Sequence, residues 1–331
     1  MRRRTWVTLI SWTVVLAAAS GAAGETHSTG LVQAYPARPV KIIVPFPPGG
    51  SADAAARIVA EKASDEWKQP VLVENKPGAG TTIAAAFVAG SAPDGHMLYL
   101  TGPISHAVSA ALYKNLSYDA VKSFAPVAQV ATAPFILVVH PSVKANSVQA
   151  LIELAKTKPG ALTYASSGNG AAPHLATEML ASLTGTKFVH VPFKGTAPAL
   201  VALLGAQVDF LIADVAAIPH IRAEKLRALA VTTAKRSALV PEIPTVAESG
   251  VPGFDVPSAT GILAPAGTPR EIVATINGSI NRALATEDVR QRLNSQGFEA
   301  APATPEEFGA FLASEVRKYA KIVRDAGVRI D

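Results

Sequence analysis

The residues able to do chemistry in this sequence stand in short loops rich in glycine, proline and serine. The first loop supplies Phe46, Pro48, Gly49, Ser51 and Asp53 within the stretch VKIIVPFPPGGSADAAAR, Val40 to Arg57. A β-branched apolar run leads into it and an Ala-rich pattern with helical spacing leaves it, so it joins a strand to a helix. Ser51 suits the N-cap, and Asp53 in the first turn complements the positive end of the helix dipole. Glycines leave backbone N–H groups uncovered here, and free amides at a helix start favour an anion. Tight strand-to-helix turns also need glycine for geometry alone, so this loop by itself leaves both readings open.

The unit recurs along the chain. Val71 to Glu74 reads as a strand, followed by a Gly-Pro turn and a helix opened by Thr81 and Thr82, which adds Ala79, Gly80 and Thr81. Met97 to Thr101 reads as a third strand and ends near Ser105 and His106. Further on, Leu162 to Ala165 leads to Ser167, Gly168 and a helix near His174. Val189 to Pro192 leads to Lys194, Gly195 and Thr196, and Phe210 to Ala213 ends at Asp214. His106 and His174 read as bases or as hydrogen-bond partners that fix their loops. Lys194 either meets an acidic ligand or is solvated, and Asp214 either binds a ligand hydroxyl or amine or caps the turn behind it. In an open parallel sheet such strand ends share one edge, where ligands bind.

Enzyme signatures are incomplete. Gly78 and Gly80, and again Gly168 and Gly170, begin a dinucleotide fingerprint, but the sixth positions are Ile83 and Pro173. Neither a GxxxxGK[ST] phosphate loop nor a GxSxG elbow occurs. The sequence has no cysteine, which removes disulfides, thiolate chemistry and Cys-based metal sites, and its seven histidines lack ligand spacing. No cofactor and no metal are therefore expected. Ser51 and Asp53 beside a histidine would suit a hydrolase, and Ser167 is a second candidate nucleophile, but capping explains the first pair more economically.

Composition and order set the frame. With 49% hydrophobic and 17% charged residues the chain has the profile of a globular protein with a large core, and 331 residues suggest two domains. Arg2, Arg3 and Arg4 precede an apolar run from Trp6 to Ala19 and then small residues, a signal-peptide pattern over residues 1–34 with the cut between 22 and 34. That run is shorter than the roughly 20 residues of a permanent membrane span, so secretion is expected. A formal charge of +5 without a basic, aromatic-laced cluster argues against nucleic acid and suits a small anion. The strands and loops fall into two α/β lobes, residues 35–132 with 257–331 and residues 133–256, joined by hinge strands near 131–137 and 254–260. Thr268 with Glu271 and Thr304 with Glu307 read as capping boxes.

Five blocks, YPARPVKIIVPFPPGGSAD from Tyr35, NKPGAGTTIAAAFVA from Asn75, APDGHMLYL from Ala92, HVPFKGTAPALVALLGAQVDF from His190 and LRALAVTTAKRSALVPEIPTVAESGVPGF from Leu226, strongly resemble the substrate-binding proteins of tripartite tricarboxylate transporters, the Bug-type periplasmic receptors. The resemblance implies a type II-like periplasmic-binding-protein fold, with two parallel-type sheets flanked by helices and a ligand cleft between lobes. It implies a monomer in the periplasm that captures a small carboxylate and delivers it to two membrane subunits. Carried over, the ligand set is the seventeen loop residues named above, from Phe46 to Asp214. Thr81 and Thr82 stand where relatives commonly carry Gly and Asn, and the stretch His106 to Tyr113 lacks the usual Asn-Pro pair, so the ligand itself is not transferable. A secreted hydrolase using a loop serine, or a sensor presenting its ligand to a membrane kinase, are the alternatives.

Overall fold

The computed structural model describes residues 35–326, and the signal-peptide expectation for residues 1–34 lies outside them. Strand β1 (Val40–Val44) is followed by α1 (Ser51–Trp67), β2 (Val71–Asn75), α2 (Thr82–Ala89), β3 (Met97–Thr101), α3 (Pro103–Leu112) and β4 (Phe124–Pro134). One residue later β5 (Ile136–Val139) enters a second sheet. It is followed by α4 (Val148–Thr157), β6 (Thr163–Ser166), α5 (Ala172–Thr184), β7 (Val189–Pro192), α6 (Thr196–Leu204), β8 (Phe210–Ala213), α7 (Ile218–Arg222) and β9 (Arg227–Val231). The chain returns along β10 (Pro257–Pro265) and closes with α8 (Arg270–Ala285), α9 (Glu287–Ser295), β11 (Glu299–Ala300) and α10 (Pro305–Ala326).

The sheets have the orders β11-β4-β10-β3-β1-β2 and β7-β6-β8-β5-β9. In each, three strands linked by helices are parallel: β2, β1 and β3 in the first, β7, β6 and β8 in the second. The remaining pairings, through β10, β11 and β5, are antiparallel, so the sheets are mixed where parallel-type sheets are expected from sequence. The crossings cause this. The chain leaves the first sheet along β4 and comes back beside it along β10, pairing Pro134 with Pro257 and Ala133 with Ser258. Thr232 ties the crossings together, since its N–H donates to Phe135 O and its hydroxyl to Val256 O.

Both faces of each sheet are covered, so their central strands are continuous apolar runs rather than alternating ones. Val40, Ile42 and Val44 pack with Ile58 of α1 and Ile276 of α8, while Ile43 on the opposite face meets Val88 of α2 and Phe308 and Leu312 of α10. In the second sheet, Leu137, Tyr164 and Phe210 pack with Leu151 of α4 and Leu180 of α5, and Val138 and Leu211 with Leu203 of α6. Val108 of α3 and Tyr319 and Val323 of α10 join that second core, so α10 bridges the two sheets. Thr304 and Glu307 form the reciprocal capping box of α10 (2.8 and 3.1 Å). The box expected at Thr268 does not form, because its hydroxyl donates to Pro265 O instead and α8 starts one residue after Pro269.

Candidate functional site

The loop after β1 is held by Asp53. Gly50, not Ser51, is the N-cap of α1; Ser51 is the first helical residue and caps nothing. The expectation fails because a glycine at the cap has no side chain, and the acidic residue three positions on does the holding. Asp53 Oδ2 accepts from Gly49 N–H (2.9 Å) and Arg57 Nε (2.9 Å), and Oδ1 accepts from Asn75 Nδ2 (2.9 Å). Asn75 also donates to Phe46 O (3.0 Å), so the ends of β1 and β2 and the first turn of α1 become one unit. Burial opposes ionisation of Asp53, but the hydrogen bonds from Arg57, Gly49 and Asn75 prevail and hold its pKa below the usual carboxylate value.

Around this loop lies a crevice with three compartments of about 600, 490 and 530 Å³. The first is lined by Phe46 to Ala52, by Gly102, Ile104 and Ser105 beyond β3, and by Ala172 of α5, with Phe135 and Ser258 to Thr260 from the crossings and Phe298. The second reuses Phe46, Ser105 and Ala172 and adds Gly78, Gly80, Thr81 and the loop Ser167 to Ala171. The third shares Ser51, Ser258 and Phe298 with the first and adds Asp214 to Ala216. In the first sheet the crevice sits between β1 and β3, where the connections diverge to opposite sides; in the second, the loops after β6 and β8 occupy the equivalent place. These are topological switch points, where open α/β sheets bind ligands.

Three helices from both sheets, α1, α3 and α5, line this crevice with their first turns through Ser51 and Ala52, Ile104 and Ser105, and Ala172. The first-turn amides of a helix lack intrahelical acceptors and carry the positive end of its dipole. Among the described residues, the amides of Ser51, Ala52 and Asp53 have no protein acceptor. Among the described residues, no Lys, Arg, Asp or Glu lines the first two compartments. The attraction for negative charge there therefore comes from backbone amides and helix ends.

Of the residues singled out by sequence, Phe46, Pro48, Gly49, Ser51, Gly80, Thr81, Ser105, Ser167, Gly168 and Asp214 line the crevice. Asp53 stands behind its loop. Ala79, with φ 43°, sits between two crevice residues without lining the crevice itself. His106 is fully buried among Tyr99, Tyr118 and Phe124, with Nε2 at 2.9 Å from Ala120 O, and desolvation keeps its pKa low. His174 accepts the Gly170 N–H at Nδ1 (3.0 Å) from a buried position. Lys194, Gly195 and Thr196 line none of the three compartments, although Gly195 N–H donates to Ser167 O (3.2 Å). Asp214 lines the third compartment and also caps the turn after it through Ala216 N–H (3.0 Å). Phe135, Ala172, Ser258, Thr260 and Phe298 were not legible as site residues. The first, third and fourth fall in or beside the crossings, so a hinge that doubles as the crevice floor was the available signal; Phe298 carries none.

Neither candidate nucleophile has a base. Among the described residues, Ser51 and Ser167 have no histidine within hydrogen-bond distance; the serine–histidine pairs are Ser166 with His190, fully buried at the serine, and Ser142 with His140.

Comparison with known proteins places this geometry. Residues 55–328 match the family described as tripartite tricarboxylate transporter family receptor. Protein BugT of Bordetella pertussis is 39% identical over 298 residues, 89% of this chain and 91% of the relative. Among solved structures, the periplasmic binding protein BugD is 36% identical with a TM-score of 0.70, covering 89% of this chain and 99% of its own. A Rhodopseudomonas palustris protein solved with adipate is 34% identical with a TM-score of 0.74, over 89% and 99% of the two chains. MatC from Rhodopseudomonas palustris, solved with bound malate, is 34% identical with a TM-score of 0.71, over 87% and 100%.

Proposed function

This chain belongs to the tripartite tricarboxylate transporter receptor family, and from that premise we propose that it captures a small dicarboxylate in the crevice between its two sheets. The observation that carries the reading is the convergence of three helix N-termini, from both sheets, on one crevice without a charged side chain in its first two compartments. Each helix end contributes about 0.3–1 kcal/mol toward an anion and up to about 2 when partly buried. A hydrogen bond from an amide to a charged oxygen adds about 1.5–3 kcal/mol. A dicarboxylate answers this arrangement at both ends, with one carboxylate on the first turn of α1 and the other against the Ser167–Ala172 segment. Adipate and malate, seen with two relatives, are of that class.

The pocket residues are those lining the crevice, with Asp53 supporting its loop. Residues 35–132 with 257–331 and residues 133–256 act as two lobes that close on the ligand about the paired crossings. Phe135 and Ser258 lie at those crossings and form the floor, so the ligand touches the hinge itself. The closed receptor, located in the periplasm as its relatives' names and the leader-like N-terminus suggest, delivers its ligand as a monomer to two membrane subunits.

Isothermal titration with adipate, malate and the uncharged diamide of adipate tests the reading. One-to-one binding of a diacid with no product formed, and no binding of the diamide, is expected. Equal binding of the diamide refutes amide-based charge recognition. Ester turnover lost on Ser51→Ala or Ser167→Ala would instead show a hydrolase.

A further inference from the structure

The loop Ser167 to Gly170 forms the second-sheet wall of the crevice, and the groups that hold it lie behind it. Gly168 N–H donates to Ser166 Oγ (3.1 Å), and Gly170 N–H donates to His174 Nδ1 (3.0 Å). Ser166 Oγ is in turn 2.6 Å from His190 Nε2. The imidazoles of His174 and His190 lie face to face, centroids 4.0 Å apart and 5° from parallel. Tyr164 stacks on His190 at 4.8 Å, and its hydroxyl donates to Glu178 Oε1 (2.6 Å). Gly168 and Gly170 have φ of 137° and 73°, conformations that glycine adopts without strain and other residues rarely do.

Two features of this cluster limit the charge its rings can carry. A nitrogen that accepts the Gly170 N–H has to be unprotonated, and two imidazolium rings cannot remain stacked at 4.0 Å. Tyr164 and Ser166 from β6 face the pair, and behind Tyr164 stand Phe188 before β7, Phe210 of β8 and Glu178 of α5, which accepts from the tyrosine hydroxyl. Beyond Glu178, Arg317, Lys318 and Lys321 of α10 line the groove it opens into. Glu178 bonds to the tyrosine, and among the described residues no carboxylate forms a salt bridge with either ring. Burial pushes the pKa of both rings down to about 4; at His190 the neighbouring His174 adds to the effect and the Glu178 carboxylate opposes it.

We propose that His174 and His190 are positioning residues for the ligand site: the stacked pair holds the Ser167–Gly170 wall through Gly170 N–H at His174 Nδ1 and through Ser166 Oγ at His190 Nε2, and protonation of His174 at Nδ1 releases that wall. The inference rests on the crevice being the carboxylate site, and it adds a device by which acid weakens capture. The sign follows from linkage. A histidine whose pKa is lower in the held state than in the released one favours the held loop fully above about 6.5, and loses that preference as pH falls from there toward about 4. Within that window the released fraction grows up to about tenfold per pH unit for the one proton taken up at His174.

Amide hydrogen exchange on the ligand-free protein, corrected for intrinsic rates, reads this directly. Protection of the Ser167–Ala171 amides is expected to fall up to about tenfold per pH unit below about pH 6.5, while amides of β8 keep theirs. In the variant His174→Asn with His190→Gln, which keeps hydrogen-bonding atoms but cannot titrate, loop protection is expected to stay level. Protection in the wild type that is flat down to about pH 4, or an equal loss in the variant, overturns the proposal; the wild-type series stands even if the variant fails to fold. Adipate titrations at about pH 7 and pH 5 supply the second arm, and binding is expected to weaken more in the wild type than in the variant. An identical pH dependence in both overturns the coupling to ligand. Loop exchange as expected with no adipate bound by either protein would keep the clamp and remove the carboxylate reading.

Discussion

Replacing Ser51 by proline isolates one backbone amide. Ser51 is the first residue of α1, its N–H has no protein acceptor, and its side chain makes no cap hydrogen bond. Proline is favoured at that helical position, where its missing N–H breaks no internal bond. The preceding Gly50 has φ −79° and ψ 166°, the extended backbone that a residue before proline needs. The substitution therefore leaves the fold intact and restricts the unfolded chain, worth up to about 0.4–1 kcal/mol of added stability. At the ligand, one charged hydrogen bond of about 1.5–3 kcal/mol disappears, a loss of roughly ten- to a hundredfold in affinity. Ser51→Ala removes the hydroxyl and keeps the amide, so it is expected to bind within about threefold of the wild type. Thermal melts and calorimetric titration with adipate measure both quantities. Ser51→Pro binding as well as Ser51→Ala, at unchanged stability, would refute the assignment of carboxylate binding to the α1 amides.

Other outcomes follow from the same structure. Asp53→Ala removes the acceptor of Gly49 and Asn75 from a buried position; with Arg57 half solvated, a loss of about 3 kcal/mol is expected in urea unfolding. Because the folded-state pKa of Asp53 lies below its unfolded value, its contribution is complete above about pH 4 and fades as pH drops through the folded value, and Asp53→Asn is expected to flatten that part of the acid-unfolding curve. Lys68 ends α1 with φ 54°, so Lys68→Gly is expected to add about 1 kcal/mol, roughly 2 °C in Tm, without altering adipate binding. A Cβ at Gly261 would overlap the Phe308 ring and sit 2.9 Å from Ala128 O, so Gly261→Ala is expected to cost about 3 kcal/mol, measured by chemical denaturation.

Much of the architecture is local enough to read in one dimension. β1, β3 and β8 begin and end where the apolar runs do, and the box at Thr304 forms because nothing competes for its atoms. Thr268 carries the same pattern, but a nearby carbonyl of the preceding strand takes its hydroxyl, a choice that only tertiary placement decides. The antiparallel pairings of β4, β5 and β10 escaped for the same reason: they depend on which strand lies beside which. At the site, small residues after strands mark the crevice rim correctly, because helix starts at sheet ends are set by topology. The side-chain partners were less legible. His106 and His174 look alike in sequence, each in a small-residue loop, yet one ring is sealed in an aromatic cluster and the other braces a turn. Phe135 and Phe298 reach the crevice from a crossing and from the segment before β11, with no local pattern to announce them.

A crystal structure grown with adipate tests the central claim most directly. One carboxylate is expected within hydrogen-bond distance of the Ser51 or Ala52 amide, with the other against the Ser167–Ala172 segment. Adipate bound outside the crevice, with those first-turn amides left to solvent, would contradict it.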